Sequence, residues 1–181
     1  MKKTHPWLVN RIPNNLFYNK KILKEYFLWL FKKQKANTKT KKYKIGYNII
    51  KKNHGGQIVD AGRNYYKTTN YRQIIIKIFP NLNLLEWKFQ KIPWKYWEKK
   101  SNLLLLAKYI AKKYKYKNIK DWYKLTWSIL LKEGTHDLVK KYPDGISFLK
   151  KIYPKYEWQP WLFERITGRV WKTKKFQLEY L

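Results

Sequence analysis

Glu86-Trp87-Lys88-Phe89-Gln90-Lys91-Ile92-Pro93 decides the fold class, because it is one of three copies of the same word. The others are Pro6-Trp7-Leu8-Val9-Asn10-Arg11-Ile12-Pro13 and Pro160-Trp161-Leu162-Phe163-Glu164-Arg165-Ile166. The tryptophans stand 80 and 74 residues apart, and other marks keep step with them. Pro80 and Pro154 each precede a repeat tryptophan by seven residues, Phe17, Trp97 and Trp171 follow one by ten, and Tyr43 and Tyr123 follow by thirty-six. Gly55 and Gly134 follow by forty-eight and forty-seven. A recurring period of this length is the signature of a repeat architecture.

Within a period the signals are helical. Asn19 is placed to cap a helix whose apolar positions Ile22, Leu23, Tyr26, Phe27 and Leu30 have the three-four spacing of one buried face. Ser101 or Asn102 is placed to cap 103–114, with Leu103, Leu106, Ala107, Ile110, Ala111 and Tyr114 on the matching face. A further helix runs from Asn118 through Tyr123, Thr126 caps another ending before Gly134, and a last one spans 145–153 before Pro154. Gly, Asn and Thr cluster between Gly55 and Tyr71 and suggest a loop. Arg72 to Phe79 has strand propensity through Ile74-Ile75-Ile76, but the register equates it with the helix before Pro154. The expectation is an all-α chain of two tandem helical repeat units and the start of a third: 1–80 with a basic loop, 81–154, and a partial unit with its tail at 155–181. An open third unit would dock against a neighbour.

The charge is extreme. With 42 Lys and Arg against 11 Asp and Glu, the formal net charge is +31 in 181 residues. Self-repulsion at this level opposes compaction unless a polyanion neutralises it, and nucleic acid does so through its phosphates. The chain is no disordered basic tail, since 44% is hydrophobic and 19% aromatic. The first fifty-two residues carry fifteen Lys or Arg and a single acid, Glu25.

Basic runs also fall at matching places, Lys32, Lys33, Lys35, Lys39, Lys41, Lys42 and Lys44 after the first long helix and Lys112, Lys113, Lys115, Lys117 and Lys120 after the second. A lysine at a helix exit is favoured by the helix dipole alone. Recurrence at both exits with few acids nearby points instead to a phosphate-tracking surface. The residues expected to bind RNA are Arg11, Lys20, Lys21, Lys32, Lys33, Lys35, Lys39, Lys41, Lys42, Tyr43, Lys51, Lys52, Arg63, Arg72, Lys112, Lys113, Lys115, Lys117, Arg169 and Lys172. Tyr43, Tyr65, Tyr66, Tyr114 and Tyr116, beside lysines, are candidates for stacking on bases. Trp7, Trp87, Trp161, Phe89 and Phe163 are expected in the core.

Other chemistry finds little support. Cysteine is absent, which excludes disulfides, thiolate nucleophiles and thiolate metal sites. Asp60 followed by Glu86-Trp87-Lys88 matches a loose metal-nuclease spacing, yet Glu86 and Lys88 align with prolines and leucines in the other copies. His5, His54 and His136 have no metal-ligand spacing, and no phosphate-binding glycine motif occurs. Asp121-Trp122-Tyr123 reads as an acid in a helix's first turn with two aromatics on its buried side. The longest apolar run, Leu103 to Ala107, is far too short to cross a bilayer. The first residues resemble neither a secretory signal nor a transit peptide. Free use of Lys, Asn, Ile, Tyr and Phe suggests an A/T-rich coding sequence, a habit of organelle genomes.

Residues 152–163, with Asp121-Trp122-Tyr123 and the glycine upstream, resemble an uncharacterised Trp-rich helical repeat of algae, oomycetes and fungi. The resemblance covers most of 79–171 and more weakly 6–80, and it implies a helical fold but no catalytic residue. In style rather than motif, the chain also resembles the mitochondrion-encoded ribosomal proteins of ciliate-type protists. The combined expectation is a non-enzymatic structural constituent of a mitochondrial ribosome in the matrix. Its partners would be ribosomal RNA and neighbouring ribosomal proteins, with no cofactor, metal, small-molecule substrate or membrane. The alternative is a DNA-binding module of an organellar or mobile-element protein, with an active nuclease ranked last.

Overall fold

A computed structural model describes residues 5–8, 19–93, 95–142 and 144–164. Its described residues are helical throughout, with no strand among them. They form two compact units, Met1–Ile92 and Pro93–Leu181. Unit one contains α1 (Lys20–Lys33), α2 (Lys39–Tyr43), α3 (Tyr47–Lys52), α4 (Gly56–Tyr66) and α5 (Tyr71–Ile78), with short 3-10 turns at Pro6–Leu8, Pro80–Leu82 and Glu86–Lys88. Unit two contains 3-10 turns at Tyr96–Glu98, Ile119–Lys124 and Pro160–Leu162, with α6 (Lys100–Tyr114), α7 (Trp127–Lys132), α8 (His136–Lys141) and α9 (Gly145–Ile152).

Each unit is built on its long helix. The α1 side chains Leu23, Tyr26, Phe27 and Leu30 are fully buried, as are Leu103, Leu106 and Ile110 on α6. Full burial of one such side chain stabilises by about 1.5–3 kcal/mol. Asn19 caps α1 by accepting the Lys21 N–H at 2.8 Å. On α6 neither expected cap is used: the helix starts at Lys100, and Asn102 instead donates through Nδ2 to the Tyr96 carbonyl at 2.7 Å. Short helices are stopped and started by side-chain caps at corresponding places. Thr38 and Asn118 cap their segments, and Asn70 on α5 and Asp144 on α9 each accept the N–H three residues on.

Two expectations need correction. The Gly55–Tyr71 stretch is not a loop, because Gly56–Tyr66 forms α4. Its Ile58, Val59, Ala61 and Gly62 are buried, so an apolar stripe at helical spacing outweighs the Gly, Asn and Thr content. The glycine register also shifts. The left-handed residues are His54 (φ 61°) and Gly134 (φ 76°), both forty-seven residues after a repeat tryptophan, so Gly134 matches His54 and Thr135 matches Gly55.

The compact units break at 92/93 rather than 80/81. The reason is visible at Tyr43. Its hydroxyl accepts the Leu85 N–H at 3.0 Å, its carbonyl accepts the Gln90 N–H at 3.2 Å, and its ring meets Phe89 edge-on at 5.1 Å. The second copy of the word is thereby held on the unit that precedes it. In unit two Tyr123 does the same, accepting the Gln159 N–H at 3.1 Å and the Glu164 N–H at 3.2 Å, with Phe163 at 4.8 Å. Leu85 and Gln159 lie two residues before their tryptophans, and Gln90 and Glu164 three after.

Candidate nucleic-acid interface

The exposed cations cluster where α1 ends and where α6 ends. Lys32, Lys33, Lys35, Lys39, Lys41, Lys44, Lys51 and Lys52 are exposed in unit one, as are Lys112, Lys115, Lys117 and Lys120 in unit two. Lys20 and Lys21 are exposed at the start of α1. In unit one 21 Lys and Arg face three acids, Glu25, Asp60 and Glu86. Two of these are engaged by arginines: Asp60 by Arg63 at 3.0 Å, and Glu86 by Arg72 at 3.8 Å. Glu86 also accepts from Gln73 Nε2 at 3.2 Å. These are the two carboxylates of the nuclease-like spacing. Among the described residues, no three His, Asp or Glu side chains gather as a cation site.

Several expected contacts are placed elsewhere by the fold. Arg72 is 6% exposed; its guanidinium donates to the Lys91 carbonyl at 2.9 Å and lies 4.9 Å from the Tyr71 ring, so it is a packing residue and not a phosphate contact. Arg63 is held by Asp60. Lys42 donates to the Asn37 carbonyl at 3.1 Å and lies over Phe31 at 5.4 Å. Lys113 is bonded to the fully buried carboxylate of Glu133 and sits 5.7 Å from the rings of both Tyr109 and Tyr114. Tyr43 is taken up by its bonds to Leu85 and Gln90. Arg11, Arg169 and Lys172 lie outside the described residues, as do Phe17 and Trp171.

The stacking candidates are mostly consumed by packing. The Tyr114 hydroxyl donates to Glu133 at 3.0 Å, and burial first, then that bond, pushes it above its ordinary value. Tyr116 meets Trp122 edge-on at 5.2 Å, and burial pushes its hydroxyl up to about 12. Tyr65 and Tyr66 meet edge-on at 4.8 Å, which leaves Tyr65, at 45% exposure, as the accessible member. Trp7, Trp87, Phe89 and Phe163 are buried as expected, whereas Trp161 is 39% exposed and not a core residue. His5 stacks on Trp7 with ring centroids 4.8 Å apart.

Sequence reasoning missed Glu133. Its side chain accepts from Tyr109 at 2.7 Å, from Tyr114 and from Lys113, and it caps the end of α7. The available signal was an acid at the negative end of a helix, a position that needs compensation. Asp121 has the structural role expected of it. It accepts the Lys117 and Asn118 N–H groups at 2.8 and 3.1 Å and completes a capping box with Asn118, and these bonds with the Lys124 ammonium lower its carboxyl to about 2. An open recess of about 600 Å³ in unit two is lined by Lys120, Tyr123, Tyr156, Glu157, Gln159 and Leu162.

Comparison of the chain with family models, with curated proteins and with solved structures yields no match.

Proposed function

We propose that this protein is a structural RNA-binding constituent of an organellar, mitochondrial ribosome, built from two related helical units and acting as a staple rather than a catalyst. The observation that carries the reading is the pairing of charge with fold. Exposed lysines crowd the exits of α1 and α6, while Asp60, Glu86 and Glu133, which could have neutralised them, are engaged by other side chains. Excess cationic surface of this kind on a packed core favours a phosphate-rich partner. The likeness of Tyr43 and Tyr123, each clasping the word at the same offsets, supports descent of the two units from one repeat. Composition and the style of the chain support the mitochondrial setting.

Sedimentation of the native protein from its organelle tests this. Co-migration with a ribosomal subunit through moderate salt is expected. Recovery only from the ribosome-free fraction, with preference for duplex DNA, would overturn it in favour of the DNA-binding alternative.

A further inference from the structure

Helices α1, α3, α4, α6 and α7 leave in the same way. In each, one residue turns left-handed, and the N–H after it returns five residues to a carbonyl: Ala36 to Phe31 at 2.7 Å, Gly55 to Ile50 at 2.9 Å, Thr68 to Arg63 at 3.1 Å, Tyr116 to Ala111 at 2.9 Å and Thr135 to Leu130 at 3.4 Å. This exit favours glycine, whose lack of a Cβ removes the steric cost of positive φ. The chain spends one glycine there, Gly134. The other four positions hold Lys35 (φ 49°), His54 (φ 61°), Lys67 (φ 47°) and Lys115 (φ 58°). All three lysines are exposed.

The helix dipole rewards a cation anywhere in the last turn. It gives no reason to put that cation on the one residue whose backbone resists it. Lys35 and Lys115 moreover occupy the same register, each twenty-eight residues after a repeat tryptophan. Strain retained at an exposed charged position points to use of that charge.

The aromatics around these exits narrow the ligand. The Trp29 ring lies under the Lys33 ammonium at 4.9 Å, Phe31 under Lys42 at 5.4 Å, and Tyr109 and Tyr114 under Lys113 at 5.7 Å each. A ring face covered by an ammonium offers no platform to a base. Single-strand recognition depends on such platforms, whereas a duplex presents only backbone to a lysine.

Resting on the ribosomal RNA reading, we propose that Lys35, Lys67 and Lys115 are fixed phosphate-gripping posts for the backbone of duplex RNA, bound by shape and charge without base stacking. The test is the triple variant Lys35→Gly/Lys67→Gly/Lys115→Gly in the full chain, beside the triple Lys→Arg variant. Thermal unfolding is measured with binding to a 20-base-pair RNA duplex, the same DNA duplex and single-stranded oligouridylate. Loss of three phosphate contacts makes the salt dependence of duplex binding shallower by about 2 to 3 in log–log slope. The glycine variant is expected to melt higher, through relief of strain, yet bind the RNA duplex at least about tenfold more weakly at physiological salt. The arginine variant is expected to keep wild-type binding without the gain in melting temperature.

A higher melting temperature with unchanged affinity would overturn the proposal, as the lysines would be ordinary helix exits. So would tighter binding of oligouridylate with quenched tryptophan emission, since bases would then be stacked while the RNA reading stood. Preference for the DNA duplex, weakened equally by the glycine changes, would keep the posts and remove the ribosomal reading.

Discussion

The Tyr43 hydroxyl accepts the backbone N–H of Leu85 across 42 residues of chain, at 3.0 Å. Tyr123 accepts Gln159 in the other unit at 3.1 Å. Tyr43→Phe removes the only side-chain oxygen of that clasp and leaves a half-buried amide to find water. A loss of about 1–2 kcal/mol is expected, read as a lower urea midpoint at unchanged slope, with the same direction for Tyr123→Phe.

Gly55 is required by its neighbour. A Cβ there would overlap the Tyr26 hydroxyl and the Ile50 side chain, both in the unit-one core. The Tyr26 hydroxyl donates to the Ile50 carbonyl at 3.1 Å, with the Asn53 carbonyl at 3.2 Å as a second acceptor. In unit two the matching residues are Leu106 and Thr135, and the Thr135 hydroxyl donates to the Leu130 carbonyl at 2.7 Å. One carbonyl is thus satisfied from two different positions. Gly55→Ala is expected to cost about 2–3 kcal/mol by overpacking. Tyr26→Leu with Gly55→Thr, which copies unit two, should recover at least about 1 kcal/mol relative to the summed single changes in a double-mutant cycle.

Glu133 and Lys113 are bonded to each other but contribute unequally. The Glu133 side chain is fully buried and that of Lys113 is 48% exposed. Glu133→Ala strips the acceptor from the Tyr109 and Tyr114 hydroxyls, and a loss of about 2–4 kcal/mol is expected in chemical denaturation. Lys113→Ala should cost under about 1 kcal/mol, because solvent already screens its half of the pair.

Acid stability should carry the mark of Asp121. Its carboxyl is lowered from 3.8 to about 2, chiefly by the Lys117 N–H and the Lys124 ammonium. A group depressed by folding stabilises above its unfolded value, and that contribution disappears as the pH falls through the folded one. Melting temperature should therefore decline between about pH 4 and pH 2 partly through this residue. Asp121→Asn should lower it at pH 6 and flatten the decline, and parallel pH profiles for the two proteins would refute the assignment.

The cap of that same turn gives a further check. Asn118→Ala removes the acceptor for the Asp121 N–H at 3.2 Å and half of the capping box. About 1 kcal/mol should be lost in thermal unfolding.

Much of the helical scaffold is legible in residue order. Leu23, Tyr26, Phe27 and Leu30 share a face because 3.6 residues make a turn, and Asn19, Thr126 and Gly134 mark ends because their side chains or missing Cβ satisfy backbone groups locally. The loop expected between Gly55 and Tyr71 fails for the opposite reason. Its glycines read as breakers in isolation, yet Gly62 is a buried helical position against Ile74, a contact 12 residues distant. The nucleic-acid surface is legible as charge but not as a set of residues. Arg72, Lys113 and Tyr43 lie in basic stretches like their neighbours, and only packing partners from elsewhere in the chain, Glu86, Glu133 and Leu85, draw them away.

By itself, the sequence determined the helical class, the positions of most caps and the size of the positive charge, since periodicity, local hydrogen bonding and composition act over a few residues. Tertiary structure alone decided where the units part, which cations remain on the surface, and that lysines rather than glycines occupy the left-handed exits. Those outcomes depend on contacts between residues tens of positions apart and on backbone angles that any side chain can be made to adopt when the surrounding helix holds it there.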